Sequence, residues 1–143
     1  VLEDDSYVSN DFATTSKLCN HIDKVVAHLP MSEPIFCDLS KSLNISMSKY
    51  IRSNNFIVAD DCHEVLPGQT QCASAYMINK ATAKIILSLY KDSSVFMPID
   101  YLLSYFLQKR QIRTFWCNQP IFKQGSMSGH SKSNFELRSR DSF

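Results

Sequence analysis

An α/β layer fold with an at least partly parallel sheet is predicted for this chain of 143 residues. Short apolar runs of strand length alternate with amphipathic stretches of helical period, and Pro, Asn and Gly punctuate the boundaries between them. The first such run, Val1-Leu2, reads as the end of a buried strand and passes at once into Glu3-Asp4-Asp5. So abrupt an opening predicts preceding strands. The chain is therefore read as one partial domain over 1–143, the C-terminal portion of a larger α/β domain, with a polar tail from about 125.

The elements follow in order. Phe12, Thr15, Cys19, Ile22, Val25, Val26 and Leu29 recur at helical spacing, so a helix is expected over 11–29, capped by Ser9 or Asn10 and stopped by Pro30. The run 34–39 is expected to be a strand, 40–52 a loop, and 55–59 a further strand that the charges, Pro67 and Gly68 of 60–68 then break. Small residues over 71–78 lead into a strand ending at Ile78, and Asn79 caps a helix whose face is Ala81, Ile85, Ile86, Leu89 and Tyr90. Pro98-Ile99-Asp100 opens another helix ending at Lys109 and Arg110, where the helix dipole favours cations. A strand over 112–117 and an extended Pro120-Ile121-Phe122 complete the pattern.

Composition narrows the function. The formal net charge of +1 provides no basic field for nucleic acid, and three glycines leave no room for a glycine-rich phosphate loop. No apolar stretch approaches the roughly 20 residues of a membrane span. The five cysteines are odd in number and include no C-x-x-C pair, which points to free, mostly buried thiols rather than a disulfide framework or zinc ribbon.

Ligands of an open α/β sheet sit at the carboxyl ends of its strands, which is where Glu3, Asp4 and Asp5 are expected. Three adjacent carboxylates repel one another unless a cation neutralises them, and oxygen-only donors suit Mg²⁺ or Mn²⁺; the alternative is a solvated acidic turn. Asp100 is either a helix-start carboxylate or a general base held in the same cleft. Asp60-Asp61-Cys62-His63-Glu64 is read as a polar surface loop, with a zinc site around Cys62, His63 and Cys72 as a distant alternative. His21 and His28 are expected at the surface or its boundary. Around Gln124-Gly125-Ser126 and Gly129, backbone amides can approach an anion or a sugar, with Lys123, Lys132, Arg138 and Arg140 adding positive charge; the alternative is a flexible terminus with ordinary solubilising charge.

Taken together these pieces resemble glycosyltransferase family 25, the lipooligosaccharide and procollagen galactosyltransferase-like group. Four blocks match in order: Val1-Leu2-Glu3-Asp4-Asp5; Ala75-Tyr76-Met77-Ile78 with Lys80-Ala81-Thr82-Ala83-Lys84; Pro98-Ile99-Asp100; and Pro120-Ile121-Phe122 through Gln124-Gly125-Ser126 to Gly129 and Ser133. The stretch 40–68 matches only loosely, and His130 has no assigned counterpart. The resemblance implies a GT-A-like nucleotide-sugar transferase fold whose N-terminal strands are missing here. It implies an inverting transfer of a hexose, such as galactose from UDP-hexose, to a saccharide or protein hydroxyl. Mn²⁺ (or Mg²⁺) would sit on Glu3, Asp4 and Asp5, with Asp100 as base and Tyr76, Gln124, Gly125 and Ser126 against the substrate. Bacterial and viral relatives would be cytoplasmic, animal relatives in the endoplasmic reticulum lumen. The competing expectation is a truncated, non-catalytic binding or scaffold module.

Overall fold

The computed structural model describes residues 1–2, 6–40, 62–70, 74–91 and 97–125. Its elements are β1 (Ser6–Val8), a 3₁₀ turn (Asn10–Phe12), α1 (Thr15–His28), β2 (Ile35–Asp38), β3 (Cys62–Val65), β4 (Tyr76–Ile78), α2 (Lys80–Lys91), α3 (Ile99–Lys109), β5 (Arg113–Cys117) and β6 (Phe122–Gln124).

The expected mixed α/β layering is present. Four strands form a sheet in the order β3-β5-β2-β4, with β2 and β5 parallel and both outer pairings antiparallel. Every residue of β2 is buried, and β5 is buried from Thr114 to Cys117, because helices cover both faces. On one face α1 packs Leu18, Ile22, Val25 and Leu29 against Ile35, Cys37 and Phe115. On the other, α2 and α3 bring Ile85, Ile86, Leu103 and Leu107 onto Phe36, Tyr76 and Ile78. A separate two-stranded ribbon, β1 with β6, attaches beyond β2 through a parallel bridge between Ser40 and Phe122.

Several boundaries differ from expectation for local reasons. The helix expected over 11–29 is two pieces: Thr14 is extended and its Oγ1 accepts from Lys17 N–H at 3.4 Å, so the cap is Thr14 rather than Ser9 or Asn10. Asn79 caps α2 as expected, its Oδ1 accepting from Thr82 N–H at 3.0 Å. Tyr90 is 61% exposed instead of facing the core, whereas Thr82 is buried and its hydroxyl donates to the Ile35 carbonyl at 2.8 Å. Val1 and Leu2 form no buried central strand. They run along the outer edge of β4, 67% and 55% exposed, because the centre of the sheet goes to β2 and β5, which are apolar on both faces.

The largest correction is β3. Residues 62–64 are not a surface loop but part of a buried strand, with Cys62 opposite Cys117 and Glu64 opposite Phe115. Glu64 is tolerated there because Arg113 Nε and Nη2 meet both its oxygens at 2.9 and 2.8 Å, a fork-to-carboxylate pair that also raises the Arg113 pKa. The expected strand over 55–59, most of the expected loop over 40–52, and Asp60 and Asp61 lie outside the described residues.

After β3 the chain turns back over α3. Gly68 has φ +81°, and a Cβ there would stand 2.6 Å from the Ser104 carbonyl oxygen and 2.8 Å from Gln108 Cβ. Gly68→Ala is therefore expected to destabilise the fold by about 2 kcal/mol or more, from left-handed strain and overpacking against helix backbone together. Thermal and denaturant unfolding measure this. An unchanged midpoint would contradict the close packing of this turn on α3.

Candidate functional site

Described parts of three of the four family-like blocks, Val1-Leu2, Ala75-Tyr76 and Ile121-Phe122, lie at the carboxyl end of β2 and are held there by backbone hydrogen bonds. Val1 and Tyr76 exchange a pair, the terminal amine donating to Tyr76 O at 2.8 Å and Tyr76 N–H to Val1 O at 3.0 Å, and Leu2 bridges Ala75. Four residues later, Ser6 stands opposite Gln124 in the β1–β6 ladder. Val1 and Leu2 are thus paired with the second block, and Ser6 with the last. The Leu39 carbonyl accepts from both Ile121 and Phe122 N–H groups, at 3.0 and 3.1 Å, and so fixes the ribbon to the end of β2.

A buried polar chain ties the same end together. Ser6 Oγ donates to the Ser74 carbonyl at 2.7 Å, Ser74 Oγ to Ser40 Oγ at 2.8 Å, and Ser40 Oγ and N–H to Asp38 Oδ1 at 2.8 and 2.9 Å. Asp38, Ser40 and Ser74 are all but fully buried, which satisfied polar groups can be at modest cost. Beside them an apolar cavity of about 330 Å³ opens between Val1, Leu2, Ile22, Leu39, Tyr76, Met77, Ile78 and Phe122.

The expected site residues fall into three groups. Glu3, Asp4, Asp5 and Ser126 lie outside the described residues, as does Cys72. Tyr76, Gln124 and Gly125 are at the assembled end: Gln124 closes β6, Gly125 is buried beside it, and the Tyr76 ring stacks on Phe36 at 5.1 Å between centroids. Asp100 lies in the first turn of α3 after Pro98, half-buried. Since α3 leads through Ile112 into the start of β5, its own start lies toward the carboxyl ends of β2 and β5, in the α2–α3 layer. The backbone ladders that join the other three blocks do not include Asp100.

The histidines behave as expected: His21 is half-buried against the Phe12 ring, and His28 is exposed and bonded to the Lys24 carbonyl. The zinc alternative is overturned at its first pair. Cys62 and His63 are consecutive on β3 and so point to opposite faces of the sheet.

What sequence reading missed is a cluster of thiols. Cys37 on β2, Cys62 on β3 and Cys117 on β5 are buried on the α1 face with their sulfurs within 4.8 Å of one another, close enough to hold a metal ion. Among the described residues it is the one such group of metal-capable side chains. Cys62 and Cys117 sulfurs are 3.5 Å apart, Cys37 and Cys117 4.0 Å, and none of the three is in a disulfide. Hydrogen bonds to Cys117 and Cys62, then burial, hold the Cys37 thiol well above its usual pKa. The bond with Cys37 pulls the Cys117 pKa down, but Cys62 and burial outweigh it and the net shift is upward. Sulfur donors are wrong for Mg²⁺ or Mn²⁺, so a hard cation has no place here. The cysteines are 25 and 55 residues apart in sequence, and only recognition of β3 as a strand would have put them side by side.

No protein-family model, curated protein or solved structure matches the chain.

Thiolate is the reactive species, the Cys37 and Cys117 thiols are held above their usual pKa, and all three clustered thiols are buried. Alkylation of the native protein with iodoacetamide is expected to modify exposed Cys19 about 10²-fold faster, or more, than Cys37, Cys62 or Cys117. Peptide mass spectrometry over time measures it. Equal rates at Cys19 and Cys62 would contradict the burial of the cluster.

Proposed function

We propose that this chain is part of a metal-dependent, inverting glycosyltransferase that moves a hexose from a nucleotide-sugar to a saccharide or protein hydroxyl, with a GT-A-like fold of the family 25 kind. One observation carries the reading: Val1 and Leu2, which precede the acidic run in sequence, pair with Tyr76 and Ala75, and Ser6, which follows it, stands opposite Gln124. In sequence Glu3-Asp4-Asp5 lies between Leu2, which bridges Ala75, and Ser6, which pairs with Gln124 of β6. Helices and an apolar sheet alone would not require these blocks to converge at the carboxyl end, where α/β sheets take their ligands.

The donor set fits the implied metal, since three carboxylates are the hard oxygen ligands that Mn²⁺ (or Mg²⁺) takes, while the thiol cluster is not. Bound there, the ion supplies neutralisation of the diphosphate leaving group. The protein's own groups do the rest. Asp100 accepts the proton of the acceptor hydroxyl as it attacks the anomeric carbon. Gln124, Gly125 and Ser126 offer hydrogen bonds to the donor. Tyr76, with its ring on Phe36 and its backbone on Val1, lies against the substrate.

Calorimetric titration of UDP-hexose with Mn²⁺, with Mg²⁺ and with neither tests the reading, together with a transfer assay. Binding is expected only with metal. Asp5→Asn or Glu3→Gln should weaken it by about tenfold or more, on the scale of disturbed metal sites. Asp100→Asn should leave donor affinity within about twofold and lower transfer about 10²–10⁴-fold, the worth of a positioned base. Nucleotide affinity indifferent to metal and to the Asp5 and Glu3 substitutions, with no transfer for Asp100→Asn to lower, would return the chain to a non-catalytic module.

A further inference from the structure

We propose that Cys37, Cys62 and Cys117 form a three-sulfur site for a soft monovalent cation of the Cu(I) class. It uses none of the residues of the transferase reading and takes a different chemistry, so it stands or falls apart from that reading. The first support is geometric. Metal–sulfur bonds of about 2.3 Å in a flat three-coordinate arrangement set sulfurs about 4 Å apart. The observed separations are 3.5 and 4.0 Å, with all three sulfurs inside 4.8 Å. The ligands come from three neighbouring strands, β3, β5 and β2, so the sheet ladder holds their spacing before any ion arrives.

The surroundings choose among soft ions. Zn²⁺ in protein sites takes a fourth ligand, and the rest of this core cluster, including Leu39, Phe115 and Ile121, offers hydrocarbon. Asp38 follows Cys37 on β2, so it faces the other side of the sheet, where Ser40 holds it. Thiolate ligands select Cu(I), which is content with three sulfurs. Binding releases the thiol protons to solvent, because the thiolate is the ligand form of cysteine.

The test uses the chain carrying Cys19→Ser and Cys72→Ser, so that only the three clustered thiols remain. It is titrated anaerobically with Cu(I) against a chromophoric chelator, and in parallel with Zn²⁺ and Mn²⁺. One equivalent of Cu(I) should bind, raise the melting temperature, and show only sulfur neighbours, three of them, by X-ray absorption. Cys37→Ala, Cys62→Ala and Cys117→Ala should each weaken binding by at least about tenfold. Corresponding Val variants, which keep core volume, serve wherever an Ala variant fails to fold by circular dichroism. The proposal is overturned if the folded protein takes up no Cu(I), or if uptake survives these substitutions. It is equally overturned if Zn²⁺ binds as tightly, or if a Cys62–Cys117 disulfide forms in place of the complex.

Discussion

The parallel pairing of β2 with β5 is the constraint on which the rest depends. Ile35 through Asp38 lie beside Arg113 through Trp116, and their side chains are buried on both faces almost without exception. A parallel pair needs a crossover and needs cover on both sides, and both requirements are met by helices. α1 covers the Cys37–Phe115 face and α2 with α3 the Phe36 face. The remaining strands then have one place each: β3 on the free edge of β5, β4 on the free edge of β2. Even the polar features are consequences. The thiol cluster exists because alternate residues of three adjacent strands face α1, and the Asp38–Ser40–Ser74 chain exists because β2 ends there.

Much of this was legible in the sequence where the signal was local. Asn79 and the Ile85-Ile86-Leu89 stripe specify α2, Pro98 specifies the start of α3, and the apolar runs at 35 and 113 specify the central strands. Signals failed where compensation was distant. Cys62-His63-Glu64-Val65 carries a charge that argues against a buried strand, until Arg113, 49 residues away, supplies the matching fork. The same distance hid the cysteines, since no spacing rule links 37, 62 and 117 without the sheet that joins them. Val1-Leu2 failed in the other direction: apolarity alone cannot tell a central strand from an edge one, and the edge is where it lies.

The candidate site was legible as a set of blocks but not as a geometry. Their convergence is carried by main-chain groups, Val1 with Tyr76 and Ser6 with Gln124, and main-chain pairing leaves little trace in residue identity. Asp100 occupies the right end of the sheet but belongs to the α2–α3 layer, so its approach to the others runs across the end of β2 rather than along a shared ladder.

Hydrogen exchange, measured with and without UDP-hexose and Mn²⁺, tests this convergence most directly, because backbone amides report the pairing itself. Added together, ligand and metal are predicted to slow exchange in concert at Ser6–Val8, Tyr76–Ile78 and Phe122–Gln124, while α1 stays unchanged. Slowing confined to one of these strands, or appearing instead on the exposed Leu87 and Tyr90 face of α2, would contradict a single donor site at the carboxyl end of β2.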